Sequence, residues 1–195
     1  MKKKYHPTEL PDYVVINDPL CRHKHVLTTP TERVEFPIDK ETWEIIYKLE
    51  SKFDQADNMA GLAANQIGFN KQIFIFEVPD EDWLDKLGPD YEQRMPKSIW
   101  INPSFKALSD EILEDWEGCF SVAELVGCVP RYKSISYEAW TPQGKKIQGT
   151  ANGYLARVIQ HEIGHLNGQL YIDLVPEDKL ITREKYINSP ELHDL

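Results

Sequence analysis

The stretch with the most evident chemistry is His161–His165, which reads HEIGH. Two histidines four residues apart lie one turn apart on the same face of a helix, so both imidazoles can bind one metal ion. Glu162 lies beside the first histidine, offset around the helix, where a carboxylate can handle the proton of an activated water. The stretch therefore predicts a metal centre that performs hydrolysis.

A catalytic centre of this kind needs a third protein ligand and one open position. The longer signature of one group of zinc proteases places a third His where this chain has Tyr171, and it expects a later Met-containing turn that is missing here. Glu184 or Glu191 in the polar C-terminal tail would be the other protease route. Cys119, in the segment WEGCFS, is the better candidate, because a thiolate is a strong ligand for a divalent first-row metal. An HExxH metalloprotease stays the less favoured alternative.

Composition limits the classes of protein to which the chain can belong. Its 195 residues suit one domain, and 41% hydrophobic with 28% charged residues are typical of a globular protein. A formal net charge of −10 argues against a general nucleic-acid binder, and we expect no sequence-specific contact with nucleic acid. The apolar runs are too short for a membrane span, and the basic start Met1–Lys4 does not lead into a secretory signal. Three cysteines are a poor disulfide framework and favour the reducing cytoplasm.

Local patterns predict two main helices. The first extends from about Lys40 to Gln55, with Asp39 as its N-cap and an apolar stripe at helical spacing. The second extends from about Asn152, a potential cap, to Asn167, and it carries both histidines next to its apolar stripe. This second helix is the element that must position the metal ligands.

Strands are predicted where short runs of β-branched and aromatic residues lie between turn signals. These runs are Gln72–Val78, Ser98–Pro103, Phe105–Leu108, Leu125–Val129, Lys133–Trp140, Lys145–Gln148 and a last short run at Leu170–Leu174. Residues 79–97 are acidic and contain several prolines, which predicts a long surface loop. The expected fold class is α+β, with mainly antiparallel sheets packed around a central metal-binding helix.

The organisation along the chain follows from these elements. No internal repeat and no change in composition marks a second domain. We predict an irregular N-terminal arm over residues 1–25, a single catalytic domain over residues 26–175, and a C-terminal tail over residues 176–195 with a short helix near Thr182–Ile187.

Three ordered motifs resemble those of the peptide deformylases. That family carries G-x-G-x-A-A-x-Q, E-G-C-x-S and H-E-x-D-H, and this chain has MAGLAANQ (Met59–Gln66), EGCFS (Glu117–Ser121) and HEIGH in the same order. The similarity covers about Val26–Leu174 and includes LARVIQHEIGHLNGQLYID, INP and VPR. The three motifs together are far more specific than H-E-x-x-H alone.

The resemblance implies removal of the formyl group from the N-terminal formyl-methionine of nascent polypeptides, with a transient contact to the ribosome. It implies that Cys119, His161 and His165 bind one divalent metal ion, for which Fe(II) is expected and Zn, Ni or Co are substitutes.

The resemblance also assigns roles around the metal. Glu162 would move the proton of the attacking water, while the Gln66 side chain and the backbone N–H of Phe120 would donate to the oxyanion. The residues expected to contact the substrate lie on the first two motifs and are Ala60, Gly61, Glu117, Gly118 and Phe120.

Some residues depart from the family pattern. Met59 stands where the family usually has its first Gly, Gly164 where it has Asp, and Phe120 where Leu is common. Gly164 costs helix propensity of up to about 1 kcal/mol, and we expect it to leave Arg131 without a carboxylate partner. Met59 and Phe120 are expected near the substrate. A deformylase-like protein with an altered substrate or little activity is therefore the second alternative.

Overall fold

The computed structural model describes residues 9–80 and 88–192, and these residues form eight strands and three α-helices. The strands are β1 (Gly61–Ala63), β2 (Ile73–Val78), β3 (Met95–Ala107), β4 (Ile112–Cys119), β5 (Val122–Tyr132), β6 (Ser134–Trp140), β7 (Lys146–Asn152) and β8 (Leu180–Thr182). The helices are α1 (Lys40–Phe53), α2 (Gly153–Leu166) and α3 (Arg183–Ile187). Within the same residues, no helix is both long and apolar enough to cross a bilayer.

The strands form two sheets. One has the order β1-β2-β3-β6-β7 and the other the order β4-β5-β8. Every pairing in both sheets is antiparallel, which confirms the predicted α+β class. β1 and β4 are each the outermost strand of their sheet, so each leaves one edge unpaired with any other described strand.

Helix α2 is the central element. Its apolar residues, among them Leu155 and Ile159, are buried against Phe74 and Trp100 of the larger sheet. Prediction placed this helix correctly, but Asn152 makes no side-chain cap. Instead Gly153 has a φ of +53°, and a Cβ there would lie 2.7 Å from the carbonyl carbon of Asp90. Only glycine fits this start without strain.

Helix α1 covers the β1–β2 end of the larger sheet. Ile45, Ile46 and Leu49 are buried against Ile73 and Ile75 of β2, which explains the apolar stripe in the sequence. The predicted N-cap is confirmed, because the Asp39 carboxylate accepts a hydrogen bond of 2.8 Å from the backbone N–H of Thr42. The helix ends two residues before the predicted Gln55.

Two predicted strands, Ser98–Pro103 and Phe105–Leu108, are in fact parts of the single long strand β3. The Asn-Pro pair does not end the strand; the register against β6 shifts between Ile101 and Ser104 instead. Asn102 has a φ of +48°, and its side-chain amide exchanges two 2.8 Å hydrogen bonds with the backbone of Val34. β3 also begins at Met95, inside the predicted loop 79–97, of which residues 81–87 lie outside the described residues.

The prediction of a strand at Leu170–Leu174 is wrong. Tyr171–Leu174 is a 3-10 helix. The Asp173 carboxylate accepts a hydrogen bond of 2.8 Å from the Leu170 backbone N–H, and this local cap closes the turn. Tyr171 is buried, and its hydroxyl donates to the carbonyl oxygen of Leu125 on β5 at 2.8 Å.

The two ends of the described chain pack on this framework. Residues 9–23 contain no helix or strand, yet the N–H groups of Val14 and Ile16 donate to the carbonyls of Gln66 and Ser121. Near the other end, β8 pairs with β5, and Thr182 caps α3. The division into arm, catalytic domain and tail stays a prediction.

We expect Asp39→Ala to destabilise the protein by about 1 kcal/mol, because it removes the side-chain cap of α1. Asp39→Asn should retain most of the stability, since an amide oxygen can accept the same hydrogen bond. Urea unfolding followed by circular dichroism measures this difference. Asp57→Ala, at an exposed position after the helix, is the control. Equal unfolding midpoints for Asp39→Ala and Asp57→Ala would contradict the assignment of this cap.

Candidate metal centre

Cys119, His161 and His165 come together from distant parts of the chain. Cys119 is the last residue of β4, and the two histidines lie one turn apart on α2. The Nε2 atom of His165 lies 3.3 Å from Cys119 Sγ and 3.2 Å from His161 Nε2. The three donor atoms all lie within 4.8 Å of one another. The predicted third ligand is thus in reach of the other two.

The donor set fits a divalent transition metal. Tetrahedral ligands at metal–nitrogen and metal–sulfur distances of about 2.0–2.3 Å are separated from one another by about 3.3–3.7 Å. The observed 3.2 and 3.3 Å separations are close to this range. Two imidazoles and one thiolate leave one coordination position open for a reacting group.

Glu117 fixes the orientation of the first histidine. Its Oε2 lies 2.8 Å from His161 Nδ1, so the ring carries its hydrogen at Nδ1 and turns Nε2 toward Cys119 and His165. Metal-binding histidines usually have a carboxylate or carbonyl in this position, which fixes the tautomer and makes the ligand more basic.

Two arginines surround the same carboxylate. Arg131 on β5 donates from Nε and Nη2 to Glu117 at 2.9 and 2.8 Å, and Arg157 on α2 donates from Nη1 at 2.8 Å. All three side chains are buried. The expectation that Gly164 leaves Arg131 without a carboxylate partner is wrong, because Glu117 supplies that partner. Sequence reasoning missed Arg157, although a cation within the apolar run LARVI was a signal that it must have a buried partner.

The electrostatics of the cluster favour a cation at its centre. Burial opposes ionisation of Glu117, but hydrogen bonds from Arg131 and His161 hold its pKa well below the usual range. Burial likewise lowers the pKa of His161, but hydrogen bonds to Cys119 and Glu117 raise it to about 10. Burial and the neighbouring His161 hold the pKa of His165 well below its usual value. These directions place a positive charge on His161, beside Glu117 and Cys119, where a bound metal ion would supply one.

Glu162 lies on the side of the centre that faces β1. It is buried, and its Oε2 has no hydrogen-bond partner among the residues that the structure describes. Burial raises its pKa to about 7, so it can accept and return a proton near neutral pH. A Cβ built on Gly61 would lie 2.6 Å from the carboxyl carbon of Glu162. Only glycine at position 61 therefore lets the Glu162 carboxylate lie this close to the backbone of β1.

Gln66 is held so that its amide nitrogen faces the ligands. Its Oε1 accepts a hydrogen bond of 2.8 Å from the Ala63 backbone N–H, which orients the amide. The Nε2 then lies 3.2 Å from Cys119 Sγ and 3.3 Å from Ser121 Oγ. Phe120 lies in the turn between β4 and β5 and is 45% exposed.

A cavity of about 200 Å³ opens beside the centre, between the free edges of β1 and β4. All five residues predicted to contact a substrate line it: Ala60, Gly61, Glu117, Gly118 and Phe120. Gln66, Cys119, His161 and Glu162 line it as well. Trp116, Tyr154 and Val158 add apolar walls that were not predicted, although Tyr154, Val158 and His161 share one helical stripe in the sequence.

Comparison with known proteins points to one family. The family model described as polypeptide deformylase matches residues 16–180. Peptide deformylase 2 of Rickettsia conorii is 46% identical over 180 residues, which are 91% of this chain and 89% of that protein. Peptide deformylase 1 of Bordetella pertussis is 40% identical over 142 residues, 71% of this chain and 78% of that one.

A solved structure has the same fold. The crystal structure of peptide deformylase from Ehrlichia chaffeensis superposes with a TM-score of 0.73 at 28% identity, and the match covers 94% of this chain and 96% of that one. Because the family model matches most of the chain, this chain belongs to the polypeptide deformylase family.

Proposed function

We propose that this chain removes the formyl group from the N-terminal formyl-methionine of new polypeptides by metal-dependent hydrolysis. The observation that carries the proposal is the convergence of Cys119, His161 and His165 with the buried carboxylate of Glu162 beside a groove between two sheet edges. The curated relatives are named peptide deformylases, which supports the same reaction.

The three ligands would hold one divalent metal ion. When bound, such an ion supplies Lewis acidity and makes hydroxide available at neutral pH. The donor set alone admits Zn, Ni or Co, because imidazole and thiolate bind all of them. We propose Fe(II) as the native ion on the strength of the family resemblance.

Glu162 would act as the base and then as the acid. A raised pKa near 7 lets it take a proton from the attacking water and later pass it to the departing amine. The Gln66 amide and the Phe120 backbone N–H would donate to the developing oxyanion. One donor of this kind typically contributes about 3–4 kcal/mol to transition-state stabilisation.

The substrate would bind as an added strand between β1 and β4. Both strands offer unpaired backbone groups to the groove. Gly61 leaves room for the Glu162 side chain and Gly118 for the Arg183 side chain, so both groups can lie close to the strand edges that would pair with the peptide. The side chain of Glu117 is turned toward Arg131, so only its backbone would meet the peptide. Trp116, Tyr154 and Val158 would receive the methionine side chain.

The metalloprotease alternative finds little support in the geometry. Tyr171 does not act as a ligand, since its hydroxyl donates to the Leu125 carbonyl. Its ring instead stacks beside His161 at a centroid distance of 6.2 Å. Neither Glu184 nor Glu191 belongs to the group of donors that forms around the two histidines in the described part of the chain.

The setting of the reaction follows from its substrate. Formylated chains arise at the ribosome, so we propose a cytoplasmic protein that meets nascent chains there transiently. Its three cysteines are free, which is compatible with a reducing compartment.

Protein loaded anaerobically with Fe(II) should release formate from a formyl-Met peptide with saturation kinetics, and removing the metal should abolish the turnover. Coupled detection of formate measures the rate. The acetyl-Met analogue is the control, because its extra methyl group crowds the reacting carbonyl. Absence of formate release by fully loaded, folded protein would overturn the proposed function.

Cys119→Ala should remove the bound metal and the activity together, because two imidazoles alone bind the ion weakly. Metal content after dialysis is measured by mass spectrometry beside the rate. Cys128→Ala, a second free cysteine on β5, should retain both. Retention of metal and hydrolysis in Cys119→Ala would favour the protease alternative instead.

Gly61→Ala should lower kcat by about a hundredfold while metal content stays unchanged, because the new methyl group displaces the Glu162 carboxylate. Gly164→Ala is the matched control. A Cβ there meets only the Gln169 carbonyl oxygen at 3.4 Å, so we expect activity near that of the unchanged protein. Similar rates for the two variants would show that the position of Glu162 does not depend on Gly61.

A further inference from the structure

An arginine from the C-terminal segment reaches the lip of the groove. Thr182 at the end of β8 lies opposite Leu125 of β5, and Val126 of β5 lies opposite Gly118 of β4. The Arg183 side chain crosses β5 in this direction. Its Nη2 would lie 2.9 Å from a Cβ on Gly118, and Val126 Cγ1 would lie 3.4 Å from the same atom. The guanidinium therefore lies directly over the edge strand that borders the cavity.

The neighbouring residues hold α3 in this position. Tyr186, three residues after Arg183 and on the same helical face, packs over Trp116 with ring centroids 5.2 Å apart. Trp116 and Gly118 are two residues apart on β4, so their outward faces lie on the same side of the strand. The two contacts place Arg183 along the stretch of β4 that lines the groove.

Arg183 forms no ion pair with the described part of the protein. It is exposed, and over residues 9–80 and 88–192 no carboxylate forms an ion pair with it. The chain carries a net charge of −10, so an unpaired guanidinium over Gly118 is a local exception to the overall charge. A planar cation with several donors at the rim of a peptide groove is suited to bind a carboxylate.

We propose that Arg183 is a specificity-determining residue that binds an acidic side chain on the second or third residue of the formylated peptide. This inference rests on the proposed function and deepens it. A peptide that lies beside β4, with its formyl group at the metal centre, must extend past Gly118. The guanidinium of Arg183 lies next to this residue. The chemistry selects Asp or Glu over Asn or Gln, because only the carboxylate gains the charge-assisted hydrogen bond.

The test compares formyl-Met-Ala-Glu with formyl-Met-Ala-Gln, and formyl-Met-Glu-Ala with formyl-Met-Gln-Ala, all amidated at the C-terminus so that one charge distinguishes each pair. We expect the acidic member of at least one pair to have a three- to fivefold higher kcat/KM, mostly through KM, as for a partly exposed ion pair. Raising the salt concentration should reduce this ratio.

Arg183→Gln should bring the ratio close to one, while Arg183→Lys should retain part of it. Lys185→Gln is the matched control, because it removes the same charge from the same helix, while Lys185 lines a different pocket together with Cys128 and Lys179. Thermal unfolding of each variant reports whether α3 still packs, and Arg183→Lys keeps the test valid if Arg183→Gln unfolds.

The outcomes distinguish a failure of the proposed deformylase function from a failure of the role of Arg183. Absence of turnover for every peptide sinks the proposed function. Turnover with a ratio of one in both pairs, or a preference that survives in Arg183→Gln, overturns the role of Arg183 and leaves the proposed function intact.

Discussion

The site depends on the ion-pair network around the buried carboxylate of Glu117. A buried charge is tolerated only when partners compensate for its loss of hydration. Here the compensation comes from Arg131 on β5 and from Arg157 and His161 on α2. The same atoms that neutralise Glu117 therefore attach the smaller sheet to the central helix and turn His161 toward Cys119 and His165. Removal of either arginine would affect fold and site together.

This network explains why Gly164 is compatible with an intact centre. Arg131 makes its two hydrogen bonds to Glu117 and needs no carboxylate at position 164. The backbone of Gly164 helps to close the end of α2, since its carbonyl accepts hydrogen bonds from the N–H groups of Asn167 and Gln169. Glycine here costs helix propensity, about 1 kcal/mol at most. That cost falls on stability and leaves the arrangement of the ligands unchanged.

Features decided by near neighbours in the chain could be predicted from the sequence. The Asp39 cap, the α2 helix and the β6–β7 hairpin all depend on residues a few positions apart. Errors arose where a local pattern competed with a specific contact. Leu170–Leu174 is a short, mostly apolar run typical of a strand, but the Asp173 cap turns it into a 3-10 helix. Asn-Pro looked like a strand end, but Asn102 takes Val34 as its partner and β3 continues.

In the site, too, features set by near neighbours in the chain could be predicted and features set by distant contacts could not. His161 and His165 were predicted as ligands from their spacing alone, whereas the choice of Cys119 drew on ligand chemistry and on the ordered motifs. The partners of Glu117 could not be derived, because Arg157 lies 40 positions away and its contact requires α2 to pack against the smaller sheet. Glu162 shows why spacing is not enough. Its offset on the helix suggested a base, but its raised pKa and its fit against Gly61 come from burial that only the folded chain creates.

The groove is bordered by the two open sheet edges, those of β1 and β4. An unpaired edge is a site for unwanted association, and proteins usually cover or charge it. Here the edges of β1 and β4 face one another across the cavity instead of facing open solvent. The N-terminal segment links the two sides, since Val14 donates to the Gln66 carbonyl and Ile16 to the Ser121 carbonyl. These bonds join the two sides of the groove, which fits the proposal that one extended peptide binds between them.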